Sequence, residues 1–239
     1  MSQKNEKVLI VIPTYNERKN IAALIPEIRK FLPQAHILVV DDNSPDKTAN
    51  TVKTIMHHDK RVALISRSAK LGLGTAYVEG FKYALAHKYD YIFEMDADFS
   101  HDPKYLPEFM QEIKTHDLVI GSRYVNGISV VNWPMRRLML SKFATFYVRL
   151  ITGLPLTDCT SGFKCYRSKV LKAIDLNEIH SDGYAFQVEM HYKAWKRKFK
   201  LKEIPVIFID RHAGSSKMSR NIAAEAVTLV WKLRLGIVK

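Results

Sequence analysis

The chain has 239 residues, 47% of them apolar, and a formal net charge of +13. That length suits one large domain or two small ones, and two cysteines, Cys159 and Cys165, make neither a disulfide framework nor a CxxC zinc pair, so a reducing cytoplasm is the expected compartment. The start, MSQKNEKVLIVIP, is too polar for a signal peptide, and no run of about 18 uncharged apolar residues would cross a membrane, while the charge calls for a polyanionic partner: nucleic acid, an anionic membrane surface or a phosphorylated substrate.

VLIVIP at 8–13 is a β-branched apolar run closed by proline and predicts a buried strand. A helix is predicted over 16–32, with Ile21, Leu24, Ile25, Ile28 and Leu32 at helical spacing and Asn16 as its N-cap. HILVVDD at 36–42 predicts the next strand, and SPDKTANTVKTIMHH a helix opening at Ser44. RVALISR at 61–67 reads as a third strand, followed by a helix with a glycine-permissive start, LGLGTAYVEGFKYALAHK. YDYIFEMDAD at 89–98 and DLVIGSRYV at 117–125 predict strands four and five. Such alternation implies parallel pairing with helices on both faces, and ligands in such sheets bind beyond the carboxyl ends of the strands. Pro13-Thr14-Tyr15, Asp41-Asp42 and Asp96-Ala97-Asp98 each end an apolar run, so a parallel sheet brings all three to one rim.

Over 136–152, Arg137, Ser141, Thr145, Arg149 and Thr152 fall on one helical face, and most of the rest is apolar. Cations opposite aromatics suit a helix lying in a membrane interface; a buried helix whose arginines serve the site is the equal alternative. A second such helix is predicted near 220–235. Core packing is the first expectation for it, with membrane contact or docking of a membrane-anchored protein partner also open. No linker, repeat or low-complexity stretch interrupts the chain. It reads as one domain over 1–239.

Two aspartates at i and i+2 point to opposite sides of a strand, but where the chain turns both can reach one ligand. Paired hard oxygens suit Mg²⁺ or Mn²⁺ on a diphosphate, and magnesium takes only one or two protein carboxylates. Taken alone, a DxD is more often a solvated turn, and Asp41-Asp42 suits a turn or helix cap as well as a base or ribose. The nine histidines show no HxxxH or HExxH spacing, LGLGTA falls short of GxGxxG, and no GxxxxGK[ST] occurs, which disfavours zinc-hydrolase and dinucleotide folds and excludes a P-loop.

In order along the chain, PTYNE (13–17), VVDDNSPDKT (39–48), LGLGTA (71–76), DADFSHDP (96–103) and GSRY (121–124) resemble the family-2 glycosyltransferases of the GT-A fold. That fold is α/β: a Rossmann-like, mostly parallel sheet flanked by helices. VNWPMRRLMLSK (131–142), TDCTSGFKCYRSKVL (157–171) and GYAFQVEM (183–190) narrow the resemblance to dolichyl- or polyprenyl-phosphate mannose synthases. The resemblance implies inverting transfer of mannose from GDP-mannose to a polyprenyl monophosphate, with Mg²⁺ or Mn²⁺ as cofactor, at the cytoplasmic face of a membrane. By position, it implies that Pro13, Tyr15, Glu17, Val40 and Asp42 hold the guanosine. Asp96, Ala97 and Asp98 would line the sugar-diphosphate and metal site. Ser100 stands where some members carry glutamine, and a hydroxyl is a poorer metal ligand than an amide oxygen. Arg123, Arg137 and Ser141 would grip the acceptor phosphate, and Arg211 and Lys217 would belong to a mobile loop that closes over the donor. Asp96, Asp98, Arg123 and Arg137 form the implied catalytic set. The second ionisation of a phosphate monoester lies near about pH 6, so the acceptor oxygen is already anionic and no protein base is expected. A related transferase using UDP-glucose is one alternative. A basic nucleic-acid-binding protein is the alternative from another class, disfavoured because the basic residues are scattered and the rim is acidic.

Overall fold

The computed structural model describes residues 6–209 and 220–237, and in the last helix side chains from 227 onward. Four strands, β1 (Val8–Thr14), β2 (His36–Asp41), β3 (Val62–Ser66) and β4 (Tyr91–Glu94), alternate with helices α1 (Arg18–Phe31), α2 (Thr48–His58), α3 (Leu73–Ala86) and α4 (Leu106–Glu112). There follow β5 (Leu118–Ser122), β6 (Val130–Val131), α5 (Met135–Thr152), β7 (Lys164–Arg167), α6 (Ser168–Ala173), α7 (Gly183–Lys196), β8 (Leu201–Pro205), β9 (Phe208–Ile209) and α8 (Arg220–Arg234). The main sheet runs in the order β3-β2-β1-β4-β7-β5-β8, and β6 pairs with β9 in a separate parallel ribbon.

β1 explains why the first strands are unbroken apolar runs. Leu9 and Val11 pack on one face of the sheet with α3 and α7, while Val8, Ile10 and Ile12 pack on the other with α1, α2 and α4. With both faces covered, neither parity of the strand meets water. Helix α3 lies so close to β1 that a Cβ on Gly80 would run into the Val11 side chain. Gly80→Ala is therefore expected to cost about 1–3 kcal/mol by overpacking, read as a lower urea midpoint at unchanged m-value.

The sheet departs from an all-parallel reading at β7, which runs antiparallel to both β4 and β5. Its sequence, KCYR, carries a lysine and an arginine and so lacks the apolar signature of a central strand; Lys164 is nonetheless fully buried. β8, LKEIP, was also without a strand signal because it is a charged edge strand beside β5. Asn16 does not cap α1: Glu17 holds that position, and Asn16 sits at φ 62°, where it turns the chain outward from β1. Helix α2 opens at Thr48, not Ser44, because residues 45–46 form a turn. Strand β4 ends at Glu94, so Asp96 and Asp98 lie in the following loop.

Helix α5 is turned inside out relative to a soluble amphipathic helix. It buries Thr145 and Thr152 with Val148, while Phe143, Phe146 and Leu150 are 63%, 60% and 71% exposed. Helix α8 divides its apolar residues: Leu229, Val230 and Leu233 join the core, and Val227 and Trp231 face outward. No helix among the described residues is long and apolar enough to cross a membrane.

Candidate active site

The ends of β1 and β2 are locked to each other by short polar side chains. Thr14 Oγ1 donates to Asp41 Oδ1 at 2.8 Å, and the Ser44 backbone N–H and hydroxyl donate to the same carboxylate at 3.0 and 2.6 Å. Asp46 accepts from the Arg18 and Thr48 backbone N–H groups, both at 3.0 Å, so one carboxylate serves the starts of two helices. Asp41 is thus a turn-holding residue, while its neighbour Asp42 faces the hollow beyond the strand. Asp42 forms an ion pair with the buried Arg67 and accepts the Leu71 and Gly72 backbone N–H groups at 3.1 Å each. Gly72, at φ +104°, takes a backbone conformation that L side chains rarely adopt, and a Cβ there would also strike Asp182. Asp182 in turn accepts the Gly74 N–H at 2.7 Å. The loop before α3 is therefore tied to β2 on one side and to the start of α7 on the other.

The DADFSH segment follows β4. Tyr77 donates its hydroxyl to Asp96 Oδ1 at 3.0 Å. Burial pushes the Tyr77 hydroxyl well above its ordinary pKa, and the charge of Asp96 pushes in the same direction, so it remains a donor. Ser100 donates from its backbone N–H at 3.1 Å and from its hydroxyl at 2.6 Å to Asp98 Oδ1. Its hydroxyl proton is directed at Asp98, which makes Ser100 an orienting residue for that carboxylate. Phe99, at φ 62°, makes the reversal between them. His101 accepts the Asp96 backbone N–H at Nδ1 (2.9 Å) and stacks on Phe163 at 4.9 Å between ring centroids. That acceptor role at Nδ1 places the proton of the neutral ring on Nε2. Burial lowers the His101 pKa, favouring the neutral ring.

Arg123, just past β5, grips Asp158 through Nε and Nη2 at 2.6 and 2.5 Å, and Nη2 also reaches Thr160 at 2.7 Å. Burial pushes the Asp158 carboxyl upward, but Arg123 outweighs this and holds it below the ordinary carboxylate value. Arg137, in the first turn of α5, stacks over Trp133 at 4.0 Å from the ring centroid.

These elements enclose a cleft of about 570 Å³. Pro13, Tyr15, Glu17 and Asp42 line it from the ends of β1 and β2 and the residues just after them, Asp96, Ala97, Asp98 and Ser100 from the β4 loop, and Arg123 and Arg137 complete the lining. Two anticipated residues are elsewhere. Val40 is fully buried in the core with Leu9, Val11 and Leu38, so its side chain does not line the cleft. Ser141 also lies off the lining and accepts the Tyr124 hydroxyl at 2.8 Å. Arg211 and Lys217 lie outside the described residues.

Sequence reasoning missed His101, Asp182 and Gln187, which also line the cleft. Each stood inside or beside a quoted segment, HDP or GYAFQVEM, but none has a spacing that announces chemistry. Gln187 is held from below: Lys164 donates Nζ to its side-chain carbonyl and lies 3.6 Å from Glu94, and all three are buried. Burial lowers the Lys164 pKa to about 8 and raises that of Glu94.

Two hard carboxylates on one wall, each oriented by a hydroxyl, fit a divalent cation shared with a diphosphate. Among the described residues, no group of three or more His, Cys, Asp and Glu forms a closed metal cage.

The family model for glycosyl transferase family 2 matches residues 9–175. The chain is 44% identical over 230 residues to the undecaprenyl-phosphate mannosyltransferase of Micrococcus luteus, covering 96% of this chain and 95% of that one. It is 42% identical to the polyprenol monophosphomannose synthase of Mycolicibacterium smegmatis, covering 96% and 88%. Among solved structures, the glucosyl-3-phosphoglycerate synthase of Mycobacterium tuberculosis, in complex with Mn²⁺, UDP and glucosyl-3-phosphoglycerate, superimposes with a TM-score of 0.68 at 16% identity, covering 97% of this chain and 81% of that one. That likeness bears out the GT-A fold. A family model matched across most of the chain, with relatives of this identity end to end, makes the protein a glycosyltransferase: the chain belongs to glycosyl transferase family 2.

Proposed function

We propose that the chain transfers a mannosyl group, with inversion, from GDP-mannose to a polyprenyl monophosphate. The observation that carries this reading is a single cleft lined by Asp96 and Asp98 on one wall and by Arg137 on another, at the ends of β1, β2 and β4. The two relatives above, named for mannosyl transfer to such lipids, support the sugar and the acceptor; the guanine base rests on the resemblance of the sequence motifs.

Asp96 and Asp98 would hold Mg²⁺ or Mn²⁺, which when bound would offset the negative charge of the donor diphosphate. Tyr77 and Ser100 fix the rotamers of those two carboxylates. Lys70, 4.3 Å over the Tyr15 ring, adds a cation on the nucleotide side of the cleft. Arg137 aims the acceptor phosphate, whose attacking oxygen is already anionic, and Arg123, buried on Asp158 in the wall of the cleft, adds its positive charge beside it. Proton transfer is therefore not demanded of the protein. His101, the histidine on the cleft, spends its Nδ1 lone pair on the Asp96 backbone, which agrees with catalysis by positioning and electrostatics. Calorimetric titration tests the donor side. GDP-mannose is expected to bind at least about tenfold more tightly with Mn²⁺ than without, and more tightly than UDP-glucose; tighter binding of UDP-glucose would overturn the choice of base.

A lipid acceptor must be met at a membrane, and the outward apolar face of α5 supplies the means. Met139, Phe143, Phe146 and Leu150 are exposed together on a helix that begins at the acceptor arginine. Replacing Phe143 and Phe146 by serine is expected to reduce sedimentation with anionic vesicles at least about tenfold, since each phenylalanine buried in lipid contributes about 1.5–3 kcal/mol. Turnover of a short, water-soluble acceptor should be unchanged. Undiminished vesicle binding would remove α5 from the membrane contact.

A further inference from the structure

Trp133 lies between β6 and α5. Its ring faces both cations of the acceptor side: the guanidinium of Arg137 lies 4.0 Å from the ring centroid and that of Arg123 lies 5.3 Å away. Phe208 meets it edge-on at 5.5 Å and 82°, and the pairing of Val130–Val131 with Phe208–Ile209 holds the two aromatics together. Two guanidinium groups directed at one hollow repel each other. Asp158 compensates Arg123, and the electron-rich indole face is a partner common to both. The Trp133 Nε1–H is buried and has no hydrogen-bond partner among the described residues. A buried donor left unmet is a cost to the fold, so this indole is not placed for hydrogen bonding, and its π face is what the site uses.

From this geometry we propose that Trp133 is the positioning residue of the acceptor-phosphate site, holding Arg137 and Arg123 as a pair spaced to receive a phosphate monoester. The inference rests on the reading of Arg137 as an acceptor ligand and goes beyond it by assigning what sets Arg137 beside Arg123, which Asp158 already holds. The test measures KM for farnesyl phosphate and for GDP-mannose, and kcat, in Trp133→Leu, Trp133→Phe and Arg137→Ala. Trp133→Leu is expected to raise the acceptor KM about tenfold, with donor KM and kcat within about twofold. Trp133→Phe, which keeps a weaker π face and removes the unmet N–H, should show about a threefold rise and an unchanged or higher Tm. An unchanged acceptor KM in Trp133→Leu beside a raised one in Arg137→Ala would overturn the role of Trp133 and leave the acceptor site standing. Unchanged values in both would remove the acceptor site itself, and the proposal with it. Equal losses for donor and acceptor would mark a general structural role and also overturn the proposal. Should Trp133→Leu not fold, Trp133→Phe decides alone: a raised acceptor KM supports the assignment, and an unchanged one ends it.

Discussion

Asp98→Ala is expected to lower kcat by about a hundred- to a thousandfold while the protein still melts as the wild type does. The rate loss follows from position: Asp98 lines the cleft and is oriented by two bonds from Ser100, so its removal deletes a preorganised charge rather than a flexible one. Losing one such electrostatic contact costs about 2.7–4 kcal/mol in the transition state. The fold should survive because the loop keeps its other anchors, Tyr77 on Asp96 and His101 on the Asp96 backbone. Steady-state kinetics across a Mn²⁺ series, beside a thermal melt, check both halves. A variant that turns over normally would refute the assignment of this carboxylate to the donor site.

Lys164→Ala carries the second large effect, on stability. The ammonium is fully buried beside Glu94 and Gln187, on the antiparallel strand between β4 and β5. Deleting it leaves Glu94 buried with its counter-charge gone, which costs about 3–5 kcal/mol. Urea unfolding of the two proteins side by side measures it, and a difference below 1 kcal/mol, on the order of a surface substitution, would show that the pair contributes little. A pH signature accompanies it. Burial lowers Lys164 from 10.5 to about 8 in the folded protein, so between those values the unfolded chain holds a proton that the folded chain has lost. Stability through this group therefore rises with pH across that window, by at most about 1.4 kcal/mol per pH unit, and is flat below it. Lys164→Met should lack that rise, so the wild type gains on the variant only as pH climbs past about 8.

The first half of the fold was legible because its strands are covered on both faces, which writes them as runs such as VLIVI and HILVV. Parallel order then placed three strand ends on one rim, and Tyr15, Asp42 and Asp98 do share a cleft. The second half was not legible for a related reason. β7 carries Lys164 into the core against Glu94, and a buried ion pair looks in sequence like two surface residues. The polar stripe of α5 was read correctly as a stripe, but its direction was not decided by periodicity. The threonines face in and the phenylalanines face out, as an interfacial helix would have them. In the site, Asp96, Asp98, Arg123 and Arg137 line one cleft as anticipated, whereas the residues they lean on, His101, Asp158 and Trp133, were not singled out. A residue that acts through another leaves no spacing rule behind. Asp42 shows the converse: it lines the cleft as anticipated, yet its carboxylate is largely engaged by Arg67 and the loop before α3.

One reaction tests the central claim most directly. The protein is incubated with Mg²⁺ or Mn²⁺, farnesyl phosphate or undecaprenyl phosphate, and sugar-labelled GDP-mannose or UDP-glucose in separate tubes, and the organic phase is counted. Label from GDP-mannose should partition with the lipid as an acid-labile phosphodiester of β configuration, and should vanish with Asp98→Ala. Label that stays in the aqueous phase with every lipid phosphate, or that moves equally well without a divalent ion, would contradict the account of a metal-dependent transfer to a lipid phosphate in this cleft.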